Sequence, residues 1–371
     1  MASELFIGLM SGTSLDGVDA ALVEFNSIND AKPKVLHTHF LAYPSELRSA
    51  ILKLQHPTEN ELEITALMSN ILAQLYANAV NQLLASAKIS SDKVIAIGCH
   101  GQTIRHKPRF NDGIGFTLQI GNAALLAELT GIAVISDFRS RDVAAGGQGA
   151  PLVPAFHQAV FASHTKNRAL INIGGIANIT YLAKDQVFGF DSGPGNMLLD
   201  AWIKQHQGLE YDANGAWAST GQVLTSLLSA MLADPYFALP PPKSTGRDLF
   251  NDYWLTQHLL NTDYLPQDVA RTLVAFTAQS IADALAKHCD SVDEVYVCGG
   301  GAHNALLKNE LQQLLCNAKI ANTDALGIGV DWVEAIAFAW LAKQCLYKKT
   351  ANLPQVTGAK GARILGAIYQ H

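Results

Sequence analysis

Cysteine is sparse in this chain of 371 residues: Cys99, Cys289, Cys298, Cys316 and Cys345 are odd in number, scattered, and form no CxxC pair. A disulfide framework and a zinc site are therefore both unexpected, and reduced thiols in a cytoplasm are the simplest account. No long basic run occurs, and the 26 lysines and arginines are outnumbered by 32 acids, giving a net charge of -6. General nucleic-acid or membrane-surface binding is not expected from such a balance. The opening MASELFIGLM lacks the basic and long apolar regions of a signal peptide. Two long uncharged stretches, 143–165 and 213–233, are broken by Gly, Pro, Gln, Asn or Ser, so neither reads as a bilayer span. GxxxxGK[ST] is missing too, so any triphosphate would have to be held without a Lys-bearing P-loop.

What remains is a folding composition, 49% hydrophobic and 16% charged, in a chain longer than one core usually serves. Two domains, 1–168 and 169–371, are expected, with the active site in a cleft between them and the last helix free to pack back on the first domain. Short β-branched runs alternate with helical periods, the mark of α/β architecture. Strands are expected at Leu5–Met10, Val18–Phe25, Lys34–Leu41, Val94–Gly98 and Ala133–Ser136, then at Ala169–Ile173, Ala177–Leu182, Gln186–Asp191 and Glu294–Val297. Glu61–Ala87 places Ile64, Leu67, Ile71, Leu75, Ala79 and Leu83 at helical spacing, and Val269–Lys287 and Asn304–Leu315 read as further helices. Each half runs from a Gly-turn hairpin through a third strand and a helix to an apolar strand ending in a Gly-containing turn.

The stretch GLMSGTSLDGVDAALVEF, Gly8–Phe25, sets a bare turn with two acids between apolar runs. It is either a tight hairpin or a cradle whose backbone N–H groups approach an anion. The order of turns resembles the sugar kinase, actin and chaperone ATPase superfamily, which implies two similar domains of mixed sheets flanked by helices. On that resemblance Gly12, Thr13, Ser14, Leu15, Asp16, Gly17, Val18 and Asp19 lie around the phosphates of ATP, opposed by Gly174 and Gly175, with Gly299, Gly300 and Gly301 beneath the adenosine. Asp16 and Asp19 are the nearby carboxylates able to hold hydrated Mg²⁺, unless they merely form the turn and a strand edge. In GFDSGPGN, Asp191 ends an apolar strand and is followed by a turn too small to shield it. Burial would raise its pKa while donors in that turn oppose the rise, leaving a poised general base. Asn196 is better placed than Asp191 to cap the helix from Met197.

MSGTSLDGVD, GCHGQTIRH, LQIGN, DFRSRDVAAGGQGAPLVP, NIGGIANIT, FDSGPGN, PPKSTGRDLFN, CGGGAHN and DWVEAIAFAWLA occur in this order. Together they resemble the anhydro-N-acetylmuramic acid kinase family from about residue 6 to 363. The resemblance implies ATP-dependent conversion of 1,6-anhydro-N-acetylmuramic acid and water into N-acetylmuramic acid 6-phosphate, in recycling of the cell wall. Asp191 matches the family's catalytic aspartate. Within these segments Arg139 could make a bidentate contact with a substrate carboxylate, unless it is a solvated surface charge; His100, Gln102 and Thr103 form a polar stretch at a strand end, unless His100 is a core histidine. Glu334 is either an inward contact to the sugar or a helix-start charge. Lys243 and Arg247 sit in a Pro-stiffened loop near the site, and Trp332, Phe338 and Trp340 read as core. The oligomeric state stays open, a homodimer included.

Overall fold

The computed structural model describes residues 3–26, 32–110, 113–184 and 186–371. They form two compact units, 1–160 with 332–371, and 161–331. The C-terminal segment from Trp332 thus belongs with the first unit.

The first unit is built on a seven-stranded mixed sheet. Its strands are β1 (Ser3–Ser11), β2 (Gly17–Asn26), β3 (Lys34–Ala42), β4 (Val94–Phe110), β5 (Gly113–Ile120), β6 (Val134–Ser136) and, late in the chain, β12 (Ala367–Tyr369). The order is β12-β6-β4-β1-β2-β3, with β5 pairing to β4 off this path. Side chains alternate across the strands. Ile7 and Leu9 join a core with Leu72, Tyr76, Ala79 and Leu83 of the helix Glu61–Ala87. Gly8, between them, faces the helix Val333–Leu346.

That second helix lies unusually close. A Cβ on Gly8 would fall 1.7 Å from the Ala335 carbonyl oxygen, and one on Gly98, its register partner on β4, 2.0 Å from that of Phe338. Two glycines side by side on the sheet therefore make the bed for a helix whose own contact residues include Ala335, Ala339 and Ala342. Phe338 and Trp340 are buried there, as expected, and Trp332 is half-buried.

The second unit carries a five-stranded sheet: β7 (Arg168–Ile173), β8 (Ile176–Leu182), β9 (Val187–Pro194), β10 (Glu294–Cys298) and β11 (Lys319–Asn322), in the order β11-β10-β7-β8-β9. The helix Pro266–His288 packs on β8 and β9, its Phe276 joining Phe237, Phe250 and Trp254 in an aromatic cluster. Both units are thus α/β, with mixed sheets flanked by helices.

Three expectations are corrected. First, β4 does not stop at Gly98 but continues to Phe110 and folds back on β5, so CHGQT lies inside a strand. The charged run RHKPR concealed this, and Pro108 is tolerated because the hairpin extends beyond the sheet. Second, Ile64, Leu67 and Ile71 are 39%, 58% and 45% exposed. The buried face of that helix runs one residue on, through Met68, Leu72 and Tyr76, and meets the expected stripe at Ala79 and Leu83. Third, Asp191 does not end its strand, because β9 runs on to Pro194.

Candidate active site

In each unit the residues singled out in the sequence gather on one sheet edge. β1, β4 and β6 run parallel, so the turn after Ser11, the segment His100–Thr103 and the residues after Ser136 emerge on the same side. In the second unit β10 parallels β7, and two antiparallel pairings return β9 to that direction. Gly174–Gly175, Gly299–Gly301 and Asp191 therefore share the carboxyl edge, the side on which α/β sheets hold their ligands.

The glycines divide by what surrounds them. A Cβ on Gly17 would press within 2.5 Å of the Leu41 carbonyl, on Gly299 within 2.3 Å of Asn172 Oδ1, and on Gly301 within 2.4 Å of Ile173 Cγ2. The fold itself requires these three to be bare. At Gly12, Gly174 and Gly175 the nearest atoms would lie at 3.6, 3.8 and 3.7 Å, ordinary contact distances. Nothing in their own unit demands glycine there, so the space is left for something else. Leu15 and Val18 bury their side chains in the first core, leaving only their main chain to a ligand.

The second turn is held from behind. Its carbonyls at Gly174 and Gly175 accept from the amides of Asn196, Gly195 and Met197 at 2.8, 2.9 and 3.2 Å. Two of those amides, Asn196 and Met197, open the helix Met197–Gln207, so the helix start is anchored on the turn. Asn196 occupies the cap position, but its side chain donates to the Ile173 carbonyl at 3.3 Å instead of capping the helix. Its amide nitrogen also lies 3.5 Å from where a Cβ on Gly300 would be. Turn, helix start and CGGG segment thereby meet.

Asp191 sits at a β-bulge. Asn178 of β8 opposes Asp191 while Ala177 opposes Gly193, so Ser192 is the extra residue, its Oγ donating to the Ala177 carbonyl at 3.1 Å. Bulges bend a strand and re-aim a side chain. The carboxylate is half-buried and accepts a hydrogen bond from the Thr245 amide at 3.0 Å. Burial pushes its pKa up to about 6; the Thr245 amide and the Lys243 ammonium oppose the rise. The opposing groups come from the loop PPKSTGRD, not from the turn after Asp191. Tyr236 fixes the pair: its hydroxyl donates to the Asp191 carbonyl at 2.7 Å, its ring lies 4.4 Å beneath Lys243 Nζ, and its carbonyl accepts from that ammonium at 3.2 Å. Tyr236 and Thr245 were not legible as site residues, since neither adjoins Asp191 in sequence.

On the first edge Arg139 Nε donates to His100 Nε2 at 3.0 Å and Nη1 to the Gly149 carbonyl at 2.8 Å. With Nε engaged, the usual Nε–Nη2 fork for a carboxylate is closed. Burial and the Arg139 charge push His100 down to about 3, so its imidazole is neutral and accepts from the guanidinium. Arg139 itself is lowered to about 10 by burial, which the charges of Glu334 and Asp142 oppose, and desolvation raises the half-buried Glu334 carboxyl. Asp142 is fully buried and accepts from the Gly149 amide, Asn352 and Thr357. It fixes the loop whose carbonyl holds Arg139. Gln102, by contrast, is fully buried and bonded to the first turn, while Thr103 accepts from Gln119 at 3.1 Å.

Among the described residues no three His, Cys, Asp or Glu side chains cluster to hold a metal. Asp16 is exposed and accepts from Ser14 Oγ at 2.7 Å; Asp19 lies within β2, opposite Met10 and Phe40. One or two carboxylates with water and phosphate oxygens completing the shell suit Mg²⁺, which rarely takes an all-protein cage.

The family model described as anhydro-N-acetylmuramic acid kinase matches residues 4–371. The chain is an α/β enzyme of kinase type and belongs to the anhydro-N-acetylmuramic acid kinase family. Its relatives include the anhydro-N-acetylmuramic acid kinase of Nitrosomonas europaea, 53% identical over 98% of this chain and 99% of the relative. That of Bordetella petrii is 54% identical over 98% and 96%. Among solved structures, a ROK family glucokinase from Streptomyces griseus in complex with glucose and AMPPNP aligns at TM-score 0.41 and 14% identity, covering 92% of this chain and 99% of that one.

Proposed function

We infer that the chain uses ATP to convert 1,6-anhydro-N-acetylmuramic acid and water into N-acetylmuramic acid 6-phosphate, the reaction of its family. The anhydro sugar has no free 6-hydroxyl, so phosphorylation and opening of the bridge are joined. Water attacks the anomeric carbon, the bond from that carbon to the 6-oxygen breaks, and the 6-oxygen takes the γ-phosphoryl group as ADP leaves. Asp191 takes the proton of the attacking water. The single observation that carries this reading is a half-buried carboxylate raised to about 6 at the edge that bears the Gly174–Gly175 turn. Such a group is ionised at neutral pH yet basic enough to accept a proton.

Main-chain amides at Gly12–Asp16 and at Gly174–Gly175 take the phosphates, and the CGGG segment takes the adenosine. Asp16, with Asp19, would hold hydrated Mg²⁺, which neutralises phosphate charge when bound. Arg139, oriented by His100 and Gly149, offers its remaining Nη2 to the sugar's lactyl carboxylate, and Glu334 faces the sugar's hydroxyls. All five cysteines are free, which fits a reducing cytoplasm. No helix among the described residues is long and apolar enough to cross a membrane.

Replacing Asp191 by Asn keeps its size and removes the base, and turnover of the anhydro sugar should fall at least ~100-fold with the fold intact. The assay is product formation from 1,6-anhydro and open-ring amino sugars. Near-full turnover by a folded variant, or phosphorylation of open-ring sugars alone, would overturn the assignment.

A further inference from the structure

We propose that Gln102 is a positioning residue that aims the Thr13 amide outward by holding the Gly12 carbonyl inward, an inference that rests on reading the first turn as a phosphate site. Gln102 is 0% exposed, so it does not reach a sugar. Its Nε2 donates to the Gly12 carbonyl at 3.0 Å and to the Thr103 carbonyl at 3.3 Å. Both partners only accept, so the amide must present its NH₂ to them. Its Oε1 accepts from the Tyr43 hydroxyl at 3.3 Å.

A peptide unit is planar and trans, so its N–H points opposite to its C=O. Pinning the Gly12 carbonyl toward Gln102 therefore turns the Thr13 N–H the other way, and Thr13 is exposed. The far end of the turn is held by the same tyrosine, whose main-chain N–H donates to the Asp16 carbonyl at 2.9 Å. Tyr43 OH lies 3.2 Å from Tyr76 OH, which lies 2.8 Å from Ser11 Oγ, and Ser11 precedes the turn. Leu15 adopts φ 59°, a left-handed conformation, with its side chain locked in the core. Such strain persists only where the surroundings over-determine it.

The test compares binding of ATP and AMP, both with Mg²⁺, by calorimetry. Met at position 102 is close in size but cannot donate, and Gln102→Met should weaken ATP about 10-fold while AMP changes less than about twofold. Tyr43→Phe, which removes one atom from a packed ring, should weaken ATP about threefold with AMP unchanged; it keeps the proposal falsifiable should the first variant fail to fold. Unchanged ATP affinity in both variants, or equal loss of ATP and AMP, would overturn the role of Gln102 and leave the phosphate turn standing. If the unsubstituted protein binds AMP as tightly as ATP, the phosphate reading fails and takes this one with it.

Discussion

Asp191 is held near 6 by opposed influences, burial on one side and the Thr245 amide with the Lys243 ammonium on the other. A base must be ionised to act, so kcat/KM should fall about tenfold per pH unit below about 6. Lys243 stabilises the carboxylate, so Lys243→Met should move this acid limb to higher pH; a limb that stays in place would remove Lys243 from the account. Arg139 carries the other residue-scale prediction. A lysine in its place cannot donate to both His100 and Gly149 while keeping a further donor directed. Arg139→Lys should raise the KM for the sugar about tenfold or more and leave that for ATP within about twofold. The reverse order would move Arg139 to the phosphate site. Of these residues, Asp191, His100 and Arg139 were singled out in the sequence because each sits in a short polar motif that follows an apolar run, although Asp191 and His100 turn out to lie within their strands. Lys243 was visible only as a cation in a stiff loop, since its partner lies 52 positions upstream in the sequence.

At the scale of elements, the bulge at Ser192 and the glycine bed under the last long helix do what no single motif announces. Gly8 opens the stretch that drew attention to the phosphate turn, yet its own role is to admit the Ala335 carbonyl. Gly8→Ala should cost about 2 kcal/mol or more of stability by overpacking, measured by denaturant unfolding, whereas Gly12→Ala should cost less, because 3.6 Å of room surrounds that Cβ. Equal losses would contradict the division of the glycines. Strand positions in both halves could be read from β-branched runs, and the helices from their spacing. The extension of β4 past Gly98 could not, because its later residues are largely arginine, lysine and histidine, and β5 was missed with it although Ile114, Phe116, Leu118 and Ile120 alternate there. Nor could the buried face of Glu61–Ala87, where apolar residues occur around much of the helix and tertiary packing alone chooses among them.

For the whole molecule, the sequence pointed to two α/β units built alike, and each unit brings its flagged residues to the carboxyl edge of a mixed sheet. What composition and spacing could not reach is the support behind those edges: the Tyr43–Tyr76–Gln102 network, the Asp142 node and the Tyr236 clamp join residues from 7 to 215 positions apart. Long-range hydrogen bonds leave no periodic trace in a sequence, whereas glycine turns do. The central claim is that one carboxylate activates water while the 6-oxygen it displaces is phosphorylated. The most direct measurement is turnover of ATP and the anhydro sugar in oxygen-18 water, with the product analysed before its anomeric hydroxyl exchanges. The account predicts label at the anomeric hydroxyl and none in the phosphate; an unlabelled anomeric oxygen, or label carried into the phosphate, would contradict it.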